Sequence, residues 1–278
     1  MDTRFIRTLL AVVETGSFAG AARRENLTPA AVAQRIRSLE ARLGHRLVTR
    51  TGQTVAPTRQ CTLILPRLNE IAKQVGQLAG DLDPTGLAGP VRLGAISTAL
   101  SDRVPGVLAR FAEQAPAASL TFVPGTSGDL YARLLEDRID AAFVVRPPFA
   151  VPKSMACVPV ETQAFVMIAP AGDDRSLAAI VSAERALVYD PDSWGGRIAM
   201  PWIRAHVPPG RILCELDALE AIAIAVGRGV GYGIVPDWPG LAGLASLRRI
   251  PLAPPVPTRD LVLLHRRLSP ACVGLLQC

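Results

Sequence analysis

The chain has 278 residues, with 30 Lys plus Arg against 24 Asp plus Glu and a formal net charge of +6. At ~100–200 residues per domain, this length fits one large domain or two smaller ones. A hydrophobic content of 49% excludes wholesale disorder. The longest stretch without a charge, Gln114–Gly128, is 15 residues broken by Pro116 and Pro124, short of the ~20 apolar residues of a membrane span.

The charge is unevenly spread. Residues 1–89 hold 12 basic and 7 acidic groups, a net of +5; residues 90–278 hold 18 and 17, a net of +1. This asymmetry points to a basic module for a polyanion joined to a charge-balanced domain. Asp2, Arg4 and Arg7 interrupt any apolar leader, so a cytoplasmic protein is expected. Five scattered cysteines form no CxxC and no metal-ligand spacing, which reads as buried thiols and no metal site.

Residues 3–14 read as an amphipathic helix, with Phe5, Ile6, Leu9, Leu10 and Val13 at helical spacing, Thr3 as its cap and Gly16 as its stop. Ser17 opens a short helix from Phe18 to Arg24. After the turn Glu25-Asn26-Leu27, Thr28 is an N-cap and Pro29 occupies the first helical position, where its missing N–H costs nothing. In the third helix, up to Leu43, Val32, Ile36, Leu39 and Leu43 share one face. Ala30, Gln34, Arg37 and Ala41 share the other, with Ala33 beside them. Small residues let a helix sink into the major groove, and Gln and Arg pair with base edges or phosphates. An ordinary surface helix has such a polar face too; its position, second in a helix–turn–helix within a basic segment, favours DNA. Arg46 to Val55 gives two extended runs around Thr51-Gly52-Gln53, a hairpin wing carrying Arg46 and Arg50.

Three ordered, ungapped segments now carry a resemblance: Ser17–Ala22, Leu27–Glu40 and Leu43–Arg50. They resemble the DNA-binding domain of LysR-type transcriptional regulators. The sequence departs from that pattern at Ala33, where serine is usual, at Val48 for phenylalanine and at Cys61 for glycine; Ala33 removes one hydroxyl contact. The resemblance implies a winged helix-turn-helix over residues 1–58, with Ser17, Thr28, Pro29, Ala30, Ala33, Gln34, Arg37, Arg46 and Arg50 at the DNA.

Cys61, Ile64, Leu68, Ile71, Val75, Leu78 and Leu82 are spaced 3,4,3,4,3,4, an a/d seam over residues 59–83. Such a seam packs on its own domain or on a partner helix. A dimer is expected because one helix-turn-helix reads only one half-site, and the resemblance adds a linker helix that dimerises. Pro66 predicts a kink. Residues 84–90 read as a hinge.

From residue 91 to 278, strands and helices alternate, which implies a parallel-rich α/β fold. Strands are expected at Val91–Ile96, Leu120–Val123, Ile139–Val145, Met155–Val160, Ala164–Ala169, Ala186–Tyr189, Ile212–Glu215, Gly231–Val235 and Leu261–His265. Helices are expected near Asp102–Gln114, Asp129–Glu136, Gly196–His206 and Asp217–Val226. The block Ala156–Pro236 reads as a second lobe. This resembles the family's effector-binding domain, two lobes like those of periplasmic binding proteins; the stretch after Ser269 is short for the family, which implies a curtailed last helix.

Ligands of open α/β sheets sit beyond the carboxyl ends of strands. That selects Ser97, Thr98, Thr126, Ser127 and Arg146, and, from the second lobe, Asp190, Ser193 and Trp194, with Val226–Gly229 as a backbone approach. Arg146 could clamp a carboxylate, although N-caps and ion pairs use the same residue types. A small, carboxylate-bearing effector between the lobes is expected, with no cofactor. No catalytic motif is present, so no enzyme is expected: Gly227-Arg228-Gly229-Val230-Gly231 precedes a strand rather than opening a helix. The implied protein is a homodimer or homotetramer that binds an imperfect inverted repeat in promoter DNA, affects RNA polymerase and does not enter a membrane. Two rival readings are a thiol redox sensor of the same architecture, using Cys157 and Cys214, and a small-ligand binding protein without DNA activity.

Overall fold

An aspartate opens the first helix. Asp2 accepts the Arg4 N–H (2.9 Å) and caps α1 (Thr3–Thr15), so the cap is Asp2 rather than Thr3. Gly16, at φ 63°, ends α1 in the left-handed conformation that glycine adopts without strain. Ser17 Oγ accepts the Gly20 N–H (2.9 Å) and opens α2 (Phe18–Glu25). Thr28 Oγ1 accepts the Ala31 N–H (3.2 Å) and opens α3 (Pro29–Leu43). The computed structural model describes residues 2–51, 54–81, 83 and 86–277, which form two units, Met1–Pro84 and Thr85–Cys278.

The first unit is built on the inward faces of α1–α3. Ile6, Leu9, Val12, Ala21, Ala22, Val32, Ile36 and Leu39 are all buried in one core. Strands β1 (Val48–Thr51) and β2 (Thr54–Pro57) pair antiparallel as the expected wing. The Val55 N–H donates to Gly16 O (2.8 Å), tying the wing to the end of α1. Thr58 Oγ1 donates to Arg46 O (2.8 Å) and accepts the Cys61 N–H (3.2 Å), so one hydroxyl joins the wing to the start of α4 (Arg59–Asp81). Pro66 lies inside α4.

The α4 seam divides. Cys61 and Leu68 are buried in the unit's own core, and Ile64 and Ile71 pack against it. Val75 and Leu78 are exposed, and Leu82 lies outside the described residues. The first half of the seam therefore covers its own domain, because α1 offers Phe5, Leu10 and Val13 as half-buried apolar neighbours.

The second unit has two cores. The first lobe contains β3 (Gly89–Ala95), α5 (Ser97–Asp102), α6 (Val104–Gln114), β4 (Ala118–Pro124), α7 (Ser127–Leu135) and β5 (Ala141–Val145). The second contains α8 (Leu177–Ala183), β7 (Ala186–Tyr189), α9 (Trp194–His206), β8 (Ile212–Leu216), α10 (Leu219–Gly227), β9 (Tyr232–Pro236) and β10 (Leu247–Pro251). β6 (Ala156–Pro170) and β11 (Thr258–His265) join them, and α11 (Pro270–Gln277) closes the first lobe. The strand order is β4-β3-β5-β11-β6-β9-β7-β8, with β10 paired to β6. β3 pairs parallel with β4 and β5, and β7 with β8 and β9; β6, β10 and β11 pair antiparallel.

Three expectations change. Gly89 and Pro90, expected in the hinge, open β3 and pair with Ala118 and Ser119 of β4. Met155–Val160 and Ala164–Ala169 are one 15-residue strand, β6. The polar trio between them is held inside it: Glu161 pairs with Arg103, Thr162 Oγ1 donates to Asp260 (2.7 Å), and Gln163 Oε1 accepts from Arg259 (2.8 Å). The helix expected near Asp102–Gln114 is two, α5 and α6, because Ser97 already begins a helical turn after β3.

Candidate DNA interface and ligand cleft

On α3 the core residues alternate with an open face. Ala30, Gln34 and Arg37 are exposed and Ala33 is half-buried. Between α3 and the wing lies a groove of about 520 Å³, lined by Phe18, Ala33, Arg37, Glu40, Arg46 and Thr49 among others. Sequence reasoning missed Glu40. Its Oε1 accepts the Leu47 and Val48 N–H groups (2.8 and 3.3 Å) and so fixes the wing against the helix. Arg35, on the inner flank, donates to the buried Thr8 Oγ1 (3.2 Å) and anchors α3 to α1. Ser17 and Thr28 serve as the N-caps of α2 and α3. Arg46 is exposed just before β1; the side chain of Arg50 lies outside the described residues, as do Gly52 and Gln53.

The candidate ligand cleft of the second unit is where β6 and β11 pass between the lobes. The residue that organises it, Arg259, was not singled out from sequence. Arg259 is 1% exposed. Its Nε–H donates to Gln163 Oε1 (2.8 Å), Nη2 to Thr98 Oγ1 (3.0 Å) and Nη1 to Tyr189 OH (3.4 Å). One guanidinium thus joins the first lobe through Thr98 to the second through Tyr189. Burial pulls its pKa down from the ordinary value, and burial pushes that of Tyr189 up.

The sequence-selected residues separate into groups. Thr98 is buried and belongs to this cluster. Ser97 is the first residue of α5 and makes no capping bond; Ile96 holds the cap position. Thr126 Oγ1 accepts the Asp129 N–H (3.2 Å) as the cap of α7. Ser127 Oγ accepts the Val145 N–H (3.1 Å), pinning α7 to the end of β5. Arg146 pairs with Asp260 (2.9 Å), 45% and 38% exposed, and its Nη1 lies 3.7 Å from Cys157 Sγ. Hydrogen bonds from Thr162 and Arg146 hold Asp260 below the usual carboxylate range. Successive residues of a strand face opposite sides, so this ion pair lies across β11 from Arg259.

Trp194 opens α9 and meets Tyr131 of α7 and Phe149, with centroid distances of 5.9 and 5.5 Å. Gly195 and Gly196 let the start of α9 lie against the end of β7: a Cβ on Gly195 would lie 2.4 Å from the Tyr189 ring, and one on Gly196 1.8 Å from Asp190 O. Asp190 and Asp217 stand side by side past the carboxyl ends of the adjacent parallel strands β7 and β8, and Asp190 N–H donates to Leu216 O (3.0 Å). Asp217 is half-buried beside the Tyr189 hydroxyl. Burial and the neighbouring Asp190 raise its carboxyl above the usual range. Val226–Gly229, by contrast, ends α10 ahead of β9, at the amino end of that strand and away from the cleft.

Cys157 and Cys214 lie on β6 and β8, three strand positions apart. At ~4.8 Å per strand that exceeds the ~7 Å Cα separation a disulfide spans within one chain.

Residues 3–62 match the family described as "Bacterial regulatory helix-turn-helix protein, lysR family", and residues 84–274 the family described as "LysR substrate binding domain". The chain belongs to the LysR family of transcriptional regulators. Among its relatives, the HTH-type transcriptional regulator IlvR of Caulobacter vibrioides is 27% identical over 286 residues, covering 100% of this chain and 97% of its own. The HTH-type transcriptional activator IlvY of Salmonella typhimurium is 26% identical over 252 residues, covering 85% and 83%. Among solved structures, the probable transcriptional regulator PA0477 of Pseudomonas aeruginosa has a TM-score of 0.75 at 18% identity, over 100% of this chain and 96% of that one. It shares the two-part fold: a helix-turn-helix domain and a two-lobed α/β effector domain. As a LysR-type regulator, the chain binds DNA through the first part and carries an effector-binding domain in the second. Among the described residues no helix is long and apolar enough to cross a membrane.

Proposed function

We propose that this LysR-type regulator works as a homodimer or homotetramer. Paired α3 helices read an imperfect inverted repeat near a promoter, and a small molecule bound between the lobes of the effector domain sets the outcome at RNA polymerase. The observation that carries the reading is the face of α3. Ala30, Gln34 and Arg37 stay exposed on a helix whose opposite face is locked in the core, beside a groove that runs to the wing. Ala30 and Ala33 allow close approach to the major groove, Gln34 and Arg37 supply base-edge or phosphate contacts, and Arg46 adds a backbone contact from the wing. Two-fold pairing through the exposed Val75 and Leu78 of α4 presents two such helices to successive half-sites. The effector acts where Arg259 joins Thr98 and Tyr189, because a ligand there changes how the lobes meet.

A gel-shift assay on DNA upstream of the protein's own gene tests the reading. Sequence-dependent binding by the native chain is expected, weaker and with discrimination at one base position reduced in Arg37→Ala. For Arg46→Ala, weaker binding to all sequences and a salt slope lower by ~1 are expected. Binding that ignores sequence, or an Arg37→Ala variant that binds like the native chain, contradicts it.

A further inference from the structure

Ala30, Ala33 and Arg37 follow one another along one side of α3. Arg37 can bond to a base edge, whereas Ala33 can only pack. Ala30 is exposed, but Ala33 is half-buried and lines the groove between α3 and the wing. Phe18, Ile36 and Val48 line the same groove with apolar side chains, and Arg37 and Arg46 are its exposed cations. The carboxylate of Glu40 is taken up by the Leu47 and Val48 N–H groups (2.8 and 3.3 Å). Its place on the helix is about 10 Å beyond Ala33. Ala33 lies in the second turn of α3, within the N-terminal part through which a recognition helix meets base edges.

An apolar spot on this face has one complement in duplex DNA. Only thymine presents an apolar group, its C5-methyl, in the major groove; the other bases offer donors and acceptors there. A cytosine or adenine set against Ala33 and Phe18 would lose the water on its exocyclic amine and gain no partner. A thymine methyl packed there gains from its burial. We propose that Ala33, together with Phe18 of the same groove, selects a thymine in each half-site through the thymine methyl group. This rests on the proposed reading role of α3 and assigns a base to one half-site position. Ala33 precedes Arg37 by about one turn, ~6 Å along the helix. At ~3.4 Å per base step, the thymine lies within about two base pairs of the position that Arg37 reads.

The test uses the full-length chain and a duplex that it selects from a random pool. Each thymine of that duplex is replaced in turn by deoxyuridine, which keeps every hydrogen-bonding atom and lacks only the methyl group. Binding is read by fluorescence anisotropy at fixed salt. One position per half-site, within about two base pairs of the one relaxed by Arg37→Ala, is expected to lose about fourfold in affinity, the worth of one buried methyl group. A C·G pair placed there is expected to bind about fourfold more tightly when its cytosine is 5-methylcytosine. Ala33→Gly removes the protein's own methyl, and its ratio of affinities for thymine and deoxyuridine should fall below about twofold. That ratio cancels any general loss from glycine in a helix, and the scan on the native chain needs no variant to fold. The inference is overturned by a scan in which no position near that of Arg37 loses more than about twofold, by equal binding of cytosine and 5-methylcytosine, or by an Ala33→Gly ratio still above about twofold. An enriched, Arg37-dependent motif with a flat deoxyuridine scan sinks the methyl contact alone, whereas a pool with no enrichment sinks the reading role of α3 beneath it.

Discussion

The two units place their candidate functional polar groups in opposite settings. On α3 of the first unit, Gln34 and Arg37 are exposed, and their backs are the core residues Val32, Ile36 and Leu39. In the second unit the organising residue, Arg259, is buried and held from both lobes. A surface that reads a large, rigid polyanion needs free side chains on a firm backing. A cleft that encloses a small molecule needs side chains already fixed in place before the ligand arrives. Removing a residue should accordingly cost binding in the first case, and both geometry and binding in the second.

The largest effect expected attacks the backing. Leu39→Ala empties a fully buried position and should cost ~2–5 kcal/mol of stability in chemical denaturation, with DNA binding lost alongside. Arg37→Ala should do the reverse. It should cost ~1–3 kcal/mol of binding, concentrated at one base position, while its denaturation curve stays within ~0.5 kcal/mol of native. If both variants lose stability and binding together, the separation between backing and reading face fails. Thr28→Ala removes the cap of α3 and should cost ~1 kcal/mol, with thermal melting as the readout.

The smallest effect concerns the second unit. Burial holds the His265 pKa below its ordinary 6.5. Between the native value and 6.5 the unfolded chain binds the extra proton, so this histidine's contribution to stability is present at neutral pH and lost as pH falls through that window. His265→Gln should therefore lose less melting temperature than the native chain on acidification from neutral pH to about pH 5. Parallel curves would show that His265 is not the group responsible.

The same contrast explains what could be read from sequence. The α3 site is local: Thr28 and Pro29 mark its start, Gly44 its end, and a 3.6-residue period separates its faces. The cleft is not local. Arg259 lies 161, 96 and 70 positions from Thr98, Gln163 and Tyr189, and beside Asp260 it looks like an ordinary exposed strand start. Glu161-Thr162-Gln163 looked like a break between strands because its polar partners, Arg103, Asp260 and Arg259, come from elsewhere in the fold. Helix α8 and strand β10 were missed as well. Each is short, and β10 gains its structure from pairing with β6 across a large sequence gap. Strand ends were the useful signal: they picked out Thr98 and Asp190, although Arg146 turned outward to Asp260.

The most direct measurement of the central claim is a selection of DNA duplexes from a random pool by the full-length chain, repeated with Arg37→Ala. The account predicts enrichment of an imperfect inverted repeat whose half-sites lie about one helical turn, ~10 base pairs, or a multiple of it apart, with one position per half-site relaxed in the variant. A pool that shows no enrichment, or an identical enriched motif for both proteins, would contradict it.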